Sequence, residues 1–286
     1  MKTMMKKFLF LTAGFLLPLI ASAQMQIDTK KVKISDFTEK ITKVVLTENP
    51  FYASALKREI SARWRVSPYE FCTIEEFECL KNSPDYYFLI TTKGQFRKEQ
   101  APGLQFISLV KGGKRAEKGI DAMLEIVTVP LASADSPSGR EFTFLPAFID
   151  LIQAYALNAM DSDISGYAGL SSYAENLSNA KNMKILFSED DLESEMTEDM
   201  KTTCNAANIW IVDDSDAEDA MDNAAENTIV SYVVAPADPV PGSYCYKMLF
   251  DTSTHELYYY RKHKISKKTS AGFIKEDIKR ILTSRK

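Results

Sequence analysis

Imidazole is nearly missing from this chain: two histidines, His255 and His263, in 286 residues. Neutral imidazole is the usual zinc ligand and the usual general base, so both chemistries are short of their commonest group. The two stand eight residues apart with no third ligand nearby in sequence, and nothing points to a Ser-His-Asp triad. The sequence also lacks G-x-x-x-x-G-K-[ST], G-x-G-x-x-G, H-E-x-x-H and G-x-S-x-G. Those absences remove the signals of phosphate loops, dinucleotide folds, zinc proteases and α/β-hydrolase nucleophiles. No C-x-x-C occurs, which disfavours a thioredoxin-type redox site.

Long apolar runs are also scarce. The clearest extends from Phe8 to Ala21 and is interrupted by Gly14 and Pro18. A spanning helix needs roughly 20 such residues. Lys2, Lys6 and Lys7 precede the run, and Ala21-Ser22-Ala23 follows it with the small-x-small cleavage pattern. A positive start, an apolar middle and a small-residue site in this order mark a secretory signal. The segment resembles the signal peptides of Gram-negative bacterial exports. Residues 1–23 are therefore expected to be removed, leaving Gln24 first, in a protein that is periplasmic or extracellular. No later stretch reads as a transmembrane segment.

What is present is ordinary for a globular protein: 45% hydrophobic and 26% charged residues, with 16 Phe and 13 Tyr to fill a core. Charge is unevenly placed. Residues 24–157 carry 18 basic and 17 acidic side chains, residues 158–260 carry 4 and 20, and residues 261–286 carry 10 and 2. The favoured reading is internal compensation, with the basic end neutralising the acidic stretch of its own module. In an exported protein nucleic acid is not an expected partner. Four cysteines (Cys72, Cys79, Cys204, Cys245) allow disulfides in an oxidising compartment, with three connectivities open and buried free thiols equally admissible.

Periodicity divides the chain into two parts. Lys43–Glu48 reads as a buried strand. Asn49-Pro50 opens a helix whose stripe is Phe51, Leu56, Ile60 and Trp64. Residues 66–72 are strand-like, and Thr73 with Glu76 forms a capping box for a short helix. Strands at 86–91, 104–110 and 123–129 and an apolar helix at 144–157 complete the first half. After a small, polar connector (158–182), the order repeats. A strand at 183–188 leads to an acidic helical stretch at 189–204 and a strand at 209–212. A helix at 215–226 follows, capped by Ser215 with Glu218. A strand at 228–234, a hairpin of 243–250 with 256–265, and a helix at 272–282 complete the second half. KVVLTEN at 43–49 matches KILFSED at 184–190 at an offset of 141.

The fold class is therefore α/β of the α+β mixed-sheet type, a tandem of two similar β-α-β-α-β-β-β-α modules. Each would be a mixed sheet covered by helices. The domains are a signal peptide at 1–23, a first module at 24–157, a connector at 158–182 and a second module at 183–286. Each half resembles small mixed α/β folds such as the anticodon-binding and TolB amino-terminal types. That resemblance is topological and implies no function.

Three features carry candidate chemistry. Asp161-Ser-Asp163-Ile-Ser165-Gly166 matches the opening of a calcium loop, although its twelfth position is Ser172 instead of a bidentate acid. Lys111-Gly-Gly-Lys-Arg115 joins two expected strands and reads as a basic hairpin tip. Tyr258 and Tyr260 are expected on one face of the last strand, beside Arg261 and Lys262, where they would stack on a ligand. The resulting expectation is an exported, non-catalytic binding or scaffold module for an envelope protein, peptide or glycan. It needs no cofactor, unless calcium binds at Asp161, Asp163 and Ser165. The ligand is expected in the groove between the halves. The alternatives are a hydrolase using paired carboxylates and a calcium-dependent adhesion protein.

Overall fold

A computed structural model describes residues 29–173, 176–193 and 198–285; the signal peptide expected at 1–23 lies outside them. A single turn, α1 (Lys30–Lys33), leads into β1 (Ile41–Val45). Val44 and Val45 point to opposite faces of a sheet, and both are buried. A strand covered on both faces belongs in the middle of a sheet. Asn49 then starts α2 (Pro50–Arg63): its side-chain oxygen accepts the N–H groups of Phe51 and Tyr52 at 3.0 and 3.3 Å. After β2 (Tyr69–Cys72), Thr73 and Glu76 form the expected reciprocal cap of α3 (Ile74–Leu80). β3 (Tyr86–Gly94), β4 (Leu104–Lys111) and β5 (Leu124–Ser133) complete the first sheet in the order β2-β1-β3-β4-β5. β1 pairs in parallel with β2 and β3, and the later pairs are antiparallel.

α4 (Arg140–Asp161) follows, then α5 (Asp163–Ala168) and two 3-10 turns (Gly169–Tyr173, Asn176–Ala180). The second module has β6 (Lys184–Ser188), α6 (Glu198–Ala206), β7 (Ile209–Val212), α7 (Asp214–Asp222) and β8 (Thr228–Val234). It closes with β9 (Tyr244–Asp251), β10 (Leu257–Lys264) and α8 (Lys275–Ser284). Its sheet order is β7-β6-β8-β9-β10, parallel through β6 and antiparallel after β8. Strand order and strand direction are thus the same in both sheets, which is the expected tandem of mixed α/β modules.

The helices are shared unequally. α2 and α4 bury their apolar stripes on one face of the first sheet, while Phe77 of α3 packs on the other with Phe88 and Val110. In the second module, Cys204 of α6 and Ile278 and Ile281 of α8 pack on one face, and Met221 of α7 on the other. The α7 face of the second sheet meets the α4 face of the first, so Phe144 and Phe148 of α4 join one core with Tyr232 and Phe250. Within the 22 residues of α4 lies a stretch long and apolar enough to cross a membrane by length and composition, contrary to expectation. Thirteen residues of α4 are buried, and the ten apolar ones among them form the centre of this shared core.

One buried cation joins the modules. Arg140, 6% exposed at the start of α4, extends two guanidinium nitrogens to Asp191 at 2.9 and 3.3 Å. It donates to the Ser231 carbonyl of β8 at 3.1 Å and pairs with Asp214 of α7 at 3.1 Å. Tyr232 donates to the Leu131 carbonyl of β5 at 2.7 Å, a second link across the seam.

Local corrections follow from these contacts. Phe51 is 78% exposed and leaves the α2 stripe to Tyr52, Ala55, Leu56 and Ile60. The acidic stretch after β6, helical in expectation and open to a break, comprises a 3-10 turn at Glu189–Asp191 and then α6. α7 begins before Ser215, because Asp214 accepts the Ser188 hydroxyl at 2.7 Å and pairs with Arg140. The connector is folded: Leu170 packs into the core on one side of the second sheet and Leu177 into the core on the other. Gly272 takes φ +104°, and a Cβ there would lie 2.8 Å from the backbone of Leu192 and Glu193. That close approach lets Phe273 bond the 191–193 segment and sets where α8 begins.

Removing the guanidinium would leave the buried Asp191 carboxylate without its cation, a loss of about 3–5 kcal/mol. Arg140→Ala is expected to lower the unfolding free energy by that amount, read as a lower urea midpoint at unchanged slope. The loss should appear in probes of both modules together, Trp64 in the first and Trp210 in the second. A second expectation concerns acid. Burial alone would raise the Asp36 carboxyl, but hydrogen bonds from Lys111 (2.7 Å) and Tyr87 (2.6 Å) outweigh it and hold it below its ordinary value. A depressed folded pKa contributes stability above the unfolded pKa of about 4. That contribution should fade as pH falls from there through the lower folded value, and Asp36→Asn should flatten this part of the stability–pH curve.

Candidate ligand-binding site

β10 is the edge strand of its sheet, and a bulge shapes it. Leu257 pairs with Phe250 and Tyr259 with Leu249, so two residues of β10 oppose one of β9. The extra residue breaks the alternation. Leu257 and Tyr260 face the shared core, whereas Tyr258 and Tyr259 both turn to the α8 side. The expectation that Tyr258 and Tyr260 share a face is corrected by this bulge, and Tyr258 is 9% exposed among core residues.

Tyr260, Arg261 and Lys262 line a cavity of about 820 Å³. Its opposite wall is the outer surface of α8, with Lys279, Arg280, Thr283 and Ser284, and Ser171 and Ser178 come from the connector turns. α8 presents these residues because Ile278 and Ile281 are drawn into the core, turning Lys279 and Arg280 to solvent. Asp277 fixes the start of that helix by accepting the Ile274 N–H at 3.1 Å. The same carboxylate holds the Tyr259 hydroxyl at 2.6 Å and the buried ammonium of Lys247. That network ties β9, β10 and α8 together beneath the cavity.

Electrostatically the cavity is one-sided. Among the described residues, Arg261, Lys262, Lys279 and Arg280 form no ion pair, and no carboxylate lines the wall. The expected compensation of the acidic stretch by the basic end is not made through ion pairs among these residues. Arg140 from the first module pairs with Asp191 and Asp214 instead, and Lys247 of the acidic stretch pairs with Asp277 of the basic one. Lys262 also lies 5.3 Å over the Tyr244 ring and 6.0 Å over Tyr246. Burial pushes the Tyr260 phenol up, with Tyr246 and Glu125 adding to the effect. Tyr260 therefore stays neutral and offers a hydroxyl.

The groove between the modules opens beside this cavity. Tyr260, Lys262 and Ser171 are also in the wall of a space of about 260 Å³, with Phe106, Glu125 and Thr128 of the first module. A third space, of about 720 Å³, lies at the far end of the first sheet among Thr47, Phe51, Thr92 and Phe142.

The calcium candidates are placed apart from all of these. Asp161 ends α4, and Asp163 opens α5 with its carboxylate accepting the Lys31 N–H at 2.9 Å. The Ser165 N–H donates to the Ser162 hydroxyl at 3.4 Å. Among the described residues no group of three or more His, Cys, Asp or Glu is arranged to hold a metal. His255 lies 2.7 Å from Asp150, which Arg63 also holds at 3.0 Å, but the nearby Ser253 hydroxyl bonds Asp251, not the imidazole. His263 donates from Nε2 to the Ser270 carbonyl at 2.8 Å. Burial raises the Glu218 carboxyl, with Asp214 adding to it, but Glu218 sits beside Arg140 and lines neither large cavity.

Lys279 and Arg280 are the site residues that sequence reading passed over. Their signal was available: adjacent cations on the polar side of a helix whose apolar stripe is Ile274, Ile278 and Leu282. Comparison with family models, with curated proteins and with solved structures finds no significant match to this chain.

All four cysteines are free thiols, three buried and Cys79 exposed. Burial pushes Cys72 and Cys245 up to about 11 and raises Cys204 as well. A thiol reagent acts on the thiolate. Titration with Ellman's reagent at pH 8 should therefore count one fast thiol in the native protein and four after guanidinium unfolding.

Proposed function

We propose that this protein is an exported, non-catalytic binding module that holds an anionic glycan in the cavity between β10 and α8. The observation that supports this most directly is four cations around one cavity without a carboxylate among its described lining residues. A carboxylated or sulfated sugar ring supplies the missing charge. Its hydroxyls match Ser171 and Ser178 and can donate to Thr283 and Ser284, whose own hydroxyls donate to the Lys279 and Arg280 carbonyls, and its apolar face matches the Tyr260 ring. Export rests on the N-terminal pattern of Lys2, Lys6 and Lys7, the apolar run and Ala21-Ser22-Ala23. Hydrolysis by paired carboxylates finds no such pair among the described lining residues.

The chain from Gln24 onward should bind a sulfated or uronate-rich glycan in calorimetry, with affinity falling as salt rises. Lys262→Ala, Lys279→Ala and Arg280→Ala touch exposed side chains, so melting temperature should hold. Each charge-assisted contact removed should weaken binding roughly tenfold, about 1.4 kcal/mol. Equal binding by the triple variant would sink the proposal, and release of new reducing ends would replace it with a hydrolase.

A further inference from the structure

In open mixed or parallel sheets a ligand crevice forms beyond the carboxyl ends of the strands, where neighbouring connections leave in opposite directions. Each sheet of this protein has one such point. In the first, β1 leaves through α2 toward β2, while the chain returns through α3 to β3 on the other side. In the second, β6 and β8 stand in the same relation.

The two points are treated differently. At β6 and β8, the Ser188 N–H bonds the Ser231 hydroxyl at 3.0 Å, and the buried Asp191 follows. Arg140 enters there and fills the position with its guanidinium. At β1 and β3 no side chain of the second module enters among the described lining residues, and a cavity of about 720 Å³ lies open. Arg140 and Glu141 are neighbours at the start of α4. The first points into the filled crevice, and the second, buried, lines the open one, its carboxylate accepting the Gly139 N–H at 2.9 Å.

We infer that the open crevice of the first module is a second ligand site, and that its ligand is a neutral saccharide. This reading is independent of the cationic cavity on the second module. The size falls within the range that small-ligand pockets occupy, roughly 300–1,000 Å³. Phe51 stands at the rim 78% exposed, an aromatic face that the fold leaves uncovered. Phe142 lies deeper, set edge-on by Tyr52 at 6.2 Å. Hydroxyls of Thr47, Thr91 and Thr92 and the Gln105 amide complete the wall. Aromatic faces beside hydroxyl and amide groups complement a pyranose, which has apolar C–H faces and a polar rim. Thr47 and Thr91 donate only at 3.5 Å, to the Asn49 carbonyl and the Tyr52 hydroxyl, so a hydrocarbon would leave the wall's hydroxyls weakly matched where a saccharide would match them. A strongly charged ligand would meet both signs, Lys93 against Glu48 and Glu141.

The test is saturation-transfer NMR and calorimetry of the chain from Gln24 with maltotetraose, cellotetraose and chitotetraose. At least one should bind, with saturation strongest at its C–H faces. Phe51→Ala leaves a surface position and should keep the melting temperature while weakening that saccharide about tenfold. Thr92→Val should weaken it too, and Lys262→Ala should leave it unchanged. Silence from all three saccharides, or binding that survives Phe51→Ala, overturns the inference. Loss on Lys262→Ala would instead move the saccharide to the cavity beside α8, which overturns it equally.

Discussion

The guanidinium of Arg140 is the contact on which the arrangement of the two modules depends. It begins the helix that forms the core of the first sheet, and it ends in a group of acids that belongs to the second. Asp191 lies in the turn after β6, Asp214 opens α7, and the Ser231 carbonyl sits on β8. Burying a cation this deeply is unfavourable unless its donors are answered. Asp191 is in the same position, as deeply buried as the arginine, and partial burial also raises Glu218. Asp191 and the Ser231 carbonyl answer the two terminal nitrogens of the guanidinium, and Asp214 lies 3.1 Å from Nε, so the contact ties one module to the other. The apolar contacts of Phe144 and Phe148 with Tyr232 and Phe250 then close around a fixed point.

Much of the fold was legible because it is local. Asn49-Pro50, and Thr73 with Glu76, carry helix starts in the residues themselves, and those starts stand where expected. Alternation located the strands, and repetition of their order gave the tandem of mixed α/β modules. What the sequence hid is what depends on partners far along the chain. Arg140 and Asp191 are 51 residues apart, and nothing near either announces the other. Phe51 looks like a core residue by spacing and is not, because α2 is turned by Tyr52, Leu56 and Ile60.

The candidate site was legible in part for the same reason. Tyr260, Arg261 and Lys262 were evident as a basic aromatic strand, and they line the cavity. Tyr258 was assigned to the same face on strict alternation, and one bulge reversed it. A bulge needs an opposing strand to exist, so a single strand's sequence cannot display it. Lys279 and Arg280 required knowing which side of α8 the sheet would take. Charge misled at a larger scale. Regional totals suggested that basic end and acidic stretch cancel, but the acids near α7 are answered from the first module, and the last 26 residues keep exposed cations.

The connector has a consequence of a different kind. Leu170 anchors it in the core on one side of β10 and Leu177 in the core on the other. An edge strand of eight residues with free backbone groups is a template on which another copy of the chain can polymerise. Flanked on both faces by its own connector and studded with Arg261, Lys262 and Lys264, β10 is a poor template. The linker between the modules thus also covers the edge strand of the second sheet.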